Sequence, residues 1–178
     1  MLLTPFPYDQ VQLTDSIFKD RFDLNVKYVT SLRTENLLER FYQEAGLVHQ
    51  GFSGAYRVTM PGYGHSDDGS DGHWGWESPT SEIRGHFLGH WLSAAAHIYK
   101  TTGHPQLKLQ ADYIVAELER CQIKNGNGWA ASIPEKYFHW AAQGQSTWAP
   151  QYVAHKTMMG LLEMYTLAGN EQALRVAD

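Results

Sequence analysis

The stretch "RGHFLGHWLSAAAH", residues 84–97, decides the reading of this chain. Its apolar positions recur at helical spacing, yet it carries three histidines and two glycines. Phe87, Trp91, Ala94 and Ile98 form one apolar row, and Leu88, Leu92, Ala95 and Tyr99 a second. Gly85, Gly89 and Ala96 form a row of small residues that lets another helix approach closely. Only His86, His90, Ser93 and His97 make a polar row. A helix apolar on nearly every side is a buried one, so this is expected to be an inner helix whose polar row faces a lumen.

Working outward, the helix is expected over about Ser81–Thr101, ended by Gly103 and Pro105. A second spans about Gln106–Lys124. Its apolar residues Leu107, Ala111, Ile114, Leu118 and Cys121 keep to one stripe, with Lys108, Asp112, Glu119 and Arg120 elsewhere. That is an outer helix with one wet face. Residues 125–147 read as a long connection. Another inner helix follows over about Pro150–Leu167, with Val153, Met158, Met159, Leu161, Leu162 and Tyr165 around His155 and Lys156. Gly169 stops it and Asn170 caps a last helix, "EQALRVAD". Toward the N-terminus, Asp23–Gly46 fits one helix, residues 1–20 an extended, strand-like arm, and the Gly-, Ser- and Asp-rich residues 50–80 a loop.

Tyr99, Gly103, Gln106, Ala111 and Asp112 recur as Tyr165, Gly169, Gln172, Ala177 and Asp178, all at an offset of 66 residues. Each copy is helix, glycine turn, helix. Recurring hairpins with alternating inner and outer helices predict an all-α fold: part of an (α/α)6 barrel, or toroid, with an extended N-terminal arm. The domain expected is a single one, with residues 1–20 as the arm and 21–178 as the first helices of a barrel that the chain does not complete. An unpaired inner face predicts poor solubility for the chain alone.

Composition narrows the function. Lys plus Arg total 14 and Asp plus Glu 19, a net charge of −5, which lacks the basic footprint of a nucleic-acid or anionic-membrane partner. No apolar run is long enough to span a bilayer, and "MLLTPFPYDQ" lacks a secretory pattern, which points to the cytoplasm. A single cysteine, Cys121, supplies neither an internal disulfide nor a cysteine-rich zinc site. It sits on an outer-helix stripe and reads as an inert buried thiol. Six Trp, ten Tyr, seven Phe and nine His suit a sugar cleft, where rings stack on aromatic faces and hydroxyls need polar partners.

His86 and His90, at i and i+4, share a helix face. The metalloprotease pattern would need Glu after His86, where Phe87 stands, and no third ligand is evident. Two readings stay open for these histidines: lining of a substrate cleft, or buried imidazoles satisfied by their neighbours. His97 reads as structural. "WGWES", residues 74–78, puts Trp76 and Glu77 before the His-bearing helix. Glu77 serves either as a carboxylate toward substrate or as negative charge at a helix start. "STWAPQYVAHK", residues 146–156, aims Trp148, Gln151, Tyr152 and His155 at the same mouth, with core packing as the alternative, above all for Trp148 and Tyr152. "DDGSDG", residues 67–72, lacks the spacing of a calcium loop and reads as solvated.

The blocks "GWES…RGHFLGHWLSAAAHIYKTTGHPQLKLQADYIVAELERCQ…NGNGW" and "WAPQYVAHKTMMGLLEMYTLAGNEQAL" resemble the β-L-arabinofuranosidase family of glycoside hydrolases, in order from about Phe18 to Asp178. The resemblance implies an (α/α)6 catalytic barrel followed by β-sandwich domains, and retaining hydrolysis of arabinofuranosides in arabinose-containing plant-type glycans. It implies a cysteine thiolate nucleophile held by zinc with glutamate and cysteine ligands, and a glutamate acid/base. Those residues lie later in the family's domain, and no matching cysteine cluster is present here. The chain is then expected to supply barrel wall and substrate contacts (His86, His90, His155, Trp76, Glu77, Trp148 and Gln151), to bind no metal itself, to hold no catalytic residue and to be inactive alone. Its partners would be the carbohydrate and the remainder of its own catalytic domain, with zinc in the full-length parent. The alternatives are a non-catalytic α-hairpin interaction module and another (α/α)6 carbohydrate enzyme, a lyase or an epimerase.

Overall fold

The computed structural model describes residues 3–47 and 73–178; the acidic stretch 67–72 lies outside them. Among the described residues there are seven α-helices and no strand: α1 (Ile17–Ser31), α2 (Thr34–Glu44), α3 (His86–Thr102), α4 (Pro105–Asn125), α5 (Lys136–Ala142), α6 (Pro150–Thr166) and α7 (Glu171–Ala177). The all-α expectation holds.

Three boundaries differ from the sequence reading. The helix expected over Asp23–Gly46 is two, because Leu32 and Arg33 take extended backbone, with ψ of 131° and 129°. α1 starts at Ile17, where the Ser16 hydroxyl accepts the Lys19 N–H at 3.4 Å, so the arm is shorter than residues 1–20. Among its described residues, the arm's one regular feature is a 3-10 turn at Tyr8–Gln10, not a strand. α3 starts at His86 rather than Ser81, because Gly85 enters it with φ +83°. Within 125–147, the aromatic segment "KYFHWAA" forms α5.

The helices pack in two layers. α3 lies between α1 and α6, while α4 lies between α2 and α7. α3 and α6 run parallel: His90 meets Tyr152, and two turns on His97 meets Glu163 at 3.6 Å. The main core fills the space between the layers, from Leu37, Leu38 and Phe41 through Leu88, Trp91 and Leu92 to Leu107, Ile114, Leu118 and Leu161. The stripe read on α4 is buried at every position, Cys121 included. α6 departs from its expected all-round burial: Met158 is 54% and Leu162 50% exposed.

The 66-residue repeat has a structural counterpart. Gly103 N–H bonds the Tyr99 carbonyl at 2.7 Å and Gly169 N–H bonds that of Tyr165 at 3.1 Å. One residue later, His104 Nδ1 accepts from Leu107 N–H and the Asn170 side chain from Ala173 N–H, so both outer helices are capped at equivalent positions. Trp91 ties the inner layer together by donating its indole N–H to the Val29 carbonyl at 2.9 Å. That carbonyl lies in the last turn of α1, where acceptors lack helical partners.

Candidate functional site

A cluster of rings gathers where the N-terminal ends of α3 and α6 lie side by side. It depends on two glycines. A side chain on Gly89 would run into the Lys156 carbonyl of α6, and one on Gly160 into the Gly89 carbonyl of α3. With only hydrogen at both positions, the helices approach closely enough for His86 and His90 to meet Tyr152. The His86 ring centre lies 5.6 Å from that of Tyr152 and 6.1 Å from that of His90. His90 Nε2 is 3.1 Å from the Tyr152 hydroxyl, and the Lys156 ammonium stands 5.2 Å over the Tyr152 ring.

Two indoles stand beside this cluster. Trp76 is 65% and Trp148 51% exposed, and they meet edge to face at 6.2 Å. Trp76 lies 6.3 Å from the His86 ring. Trp148 is held by its backbone N–H, which donates to the Glu82 carboxylate. Below it, Ile83, Ile133 and Val153 form a small second core with Trp129, Tyr137 and Phe138 around them. Exposed aromatic faces beside imidazole, phenol and ammonium groups form a surface that can stack a sugar ring and hydrogen-bond its hydroxyls.

Glu77 lies behind this surface rather than on it. It is 8% exposed, and its carboxylate accepts from Gly85 N–H at 2.6 Å, from Phe87 N–H at 3.0 Å and from His86 Nδ1 at 2.7 Å. The first two are donors at the start of α3, so Glu77 occupies the helix-start role weighed for it from sequence. Burial penalises the Glu77 carboxylate, but the bonds from His86, Phe87 and Gly85 outweigh it and hold its pKa below the ordinary value. Burial also opposes charge on His86, yet the Glu77 carboxylate wins and raises that pKa. His90 goes the other way: burial, the Lys156 ammonium and His86 together lower its pKa.

Of the residues singled out in sequence, the structure thus brings Trp76, Glu77, His86, His90 and Trp148 together. Gln151 and His155 are exposed on the first turns of α6, and among the described residues their side chains have no hydrogen bond, ion pair or ring contact. His97 sits toward the far end of α3 between Glu163 and the edge of Tyr8.

Tyr152, which the sequence leaves between the mouth and the core, is 38% exposed within the ring cluster. Two contributors went unread in sequence. Lys156 stands over the Tyr152 ring. Arg40 on α2 is 4% exposed and grips the Glu77 carbonyl through Nε at 2.5 Å and the His73 carbonyl through Nη2 at 3.2 Å. The available signal for Arg40 was a lone cation beside Leu37, Leu38 and Phe41 on an apolar helix side.

The described residues do not fit a zinc–thiolate centre. Among them no group of three or more His, Cys, Asp or Glu side chains is placed to hold a metal ion. Cys121 is buried on α4, and burial, with Glu117 nearby, pushes its thiol up to about 12. No helix among the described residues is long and apolar enough to cross a membrane.

A comparison with curated proteins finds no match. The family model for the β-L-arabinofuranosidase GH127 catalytic domain, by contrast, matches residues 10–178. That span contains both ring-bearing helices and the loops before them, and the chain belongs to this family of glycoside hydrolases.

Proposed function

We propose that this chain forms part of the substrate cleft of a retaining glycoside hydrolase that acts on arabinofuranosides, supplying barrel wall and sugar contacts. The observation that carries the reading is the ring cluster at the paired N-terminal ends of α3 and α6, inside a chain that belongs to the family. Trp76 and Trp148 offer stacking faces. His86, His90, Tyr152 and Lys156 offer groups that hydrogen-bond vicinal hydroxyls, and the exposed Gln151 and His155 directly precede Tyr152 and Lys156 on α6. A furanoside is small and dense in hydroxyls, which suits a few aromatic walls with several polar atoms between them.

The (α/α)6 barrel is part of the same proposal. Three inner helices (α1, α3, α6) backed by three outer ones (α2, α4, α7) are what one arc of such a ring requires. The exposed Met158 and Leu162 on α6 fit a helix that has a further neighbour in a closed ring. The zinc implied by the family would be held by residues other than those described here, and no step of the reaction is assigned to this chain.

Titration of the chain with methyl β-L-arabinofuranoside, followed by Trp fluorescence, tests the reading. Saturable quenching lost on His90→Ala is expected. Equal binding of methyl β-D-glucopyranoside, or retention of binding in His90→Ala, counts against it. Hydrolysis of aryl arabinofuranosides by the chain alone would overturn the division of labour proposed here.

A further inference from the structure

We propose that Glu77 is a positioning residue whose carboxylate fixes the Nδ1 edge of His86 so that Nε2 is the ring atom offered to the cleft. This rests on the cleft being the sugar site. It changes the role of Glu77 from a group that touches sugar to one that acts through another side chain.

The geometry carries it. His86 Nδ1 lies 2.7 Å from a Glu77 oxygen and 2.9 Å from the Ile83 carbonyl. Both are acceptors only, so Nδ1 carries the proton. Nε2 has no hydrogen bond among the described residues, yet it is not a buried orphan. The ring is bounded by Trp76, His90 and Tyr152. A carboxylate behind one imidazole nitrogen sets ring orientation and tautomer, and makes the other nitrogen the working atom.

Glu77 is itself held from two sides. The backbone N–H groups of Gly85 and Phe87 occupy its oxygens from α3. Arg40 holds its carbonyl from α2, and holds the loop at His73 as well. Between His73 and Glu77 the loop therefore has fixed backbone, a fixed carboxylate and an outward-facing indole, Trp76. The charged and titratable groups around His86 are Glu77 in that loop, His90 on α3, and Lys156 and Tyr152 on α6. Of these, Glu77 is the anion.

A helix cap alone would need the same two backbone bonds but would have no effect on the imidazole. The test therefore reads the ring. Long-range ¹H–¹⁵N spectra of the full chain, with His86 assigned by its loss in His86→Gln, give the tautomer and the titration midpoint. The neutral wild-type ring is expected as the Nδ1–H tautomer, and Glu77→Gln is expected to lower its proton affinity at least tenfold. A wild-type Nε2–H tautomer overturns the proposal whether or not the variant folds. A folded Glu77→Gln chain whose His86 titrates within threefold of wild type overturns it as well, leaving Glu77 a cap. The expected tautomer and shift in a chain that binds no methyl β-L-arabinofuranoside would support the clamp and remove the sugar reading instead.

Discussion

The Gly89 carbonyl oxygen lies 2.6 Å from where a Cβ on Gly160 would stand, so α3 and α6 meet backbone to backbone. The Leu92 Cβ, 2.9 Å from the same point, closes the remaining space. Alanine at either glycine gains about 1 kcal/mol in intrinsic helix preference. The contact outweighs that gain, because the atoms met are main chain and cannot rotate aside. Gly160→Ala and Gly89→Ala are each expected to lose about 1–3 kcal/mol net. Urea denaturation followed by far-UV circular dichroism would show a lower midpoint at unchanged slope. Wild-type stability in both variants would mean that the two helices do not touch here.

The same helix pair shows what could be read in advance. The close approach at Gly89 was legible because helical periodicity sets it among small residues, and the α4 stripe for the same reason, but Gly85, read in the same row, lies before α3 and faces Ser132 instead of α6. The repeat was legible because each hairpin needs the same turn, with Gly103 and Gly169 both at positive φ. The break at Leu32–Arg33 was not, since neither residue is a glycine or proline and extended backbone there is fixed by tertiary contacts, including a bond from Gln110 to the Leu32 carbonyl. α5 is seven residues long, too short for a periodic signal. The histidine row was found, with buried imidazoles as one of its open readings, but the carboxylate partner of His86 was not, because that contact depends on Glu77 nine positions earlier and on a loop held by Arg40. Long-range polar contacts leave no local pattern to detect.

Cys121 gives a sharp chemical expectation. Its thiol is buried on α4 and pushed up to about 12, so almost no thiolate is present at neutral pH. Ellman's reagent should leave the folded chain unlabelled at pH 8 and react with one thiol per chain once urea is added. Rapid labelling of the folded chain would overturn the reading of Cys121 as an inert buried thiol.

Tyr152 separates packing from recognition. Its hydroxyl bonds His90 at a partly exposed position, so Tyr152→Phe should cost less than about 1 kcal/mol of stability. Under the sugar-cleft reading it removes one polar contact and frees the His90 ring. Affinity for methyl β-L-arabinofuranoside should then fall about tenfold, equivalent to about 1.4 kcal/mol. Isothermal titration beside a denaturation curve distinguishes the cases: unchanged affinity with lost stability would make Tyr152 a packing residue.

The Glu77–His86 pair also predicts a pH signature in stability. The Glu77 pKa is lowered from an ordinary 4.5, so its contribution is present above 4.5 and lost as pH falls through the lowered value. The His86 pKa is raised from an ordinary 6.5, so its contribution is complete below 6.5 and lost as pH rises through the raised value. Both contributions are therefore complete together between 4.5 and 6.5. His90 follows the opposite rule for a histidine: its pKa is lowered, so its contribution is present above 6.5 and lost on acidification. Subtracting the unfolding free energy of Glu77→Gln from that of wild type, pH by pH, cancels most of the His90 term. The difference should peak in the window between the two ordinary values and shrink on both sides. A difference that stayed constant from pH 4 to pH 9 would mean that the carboxylate contributes only neutral hydrogen bonding at the start of α3.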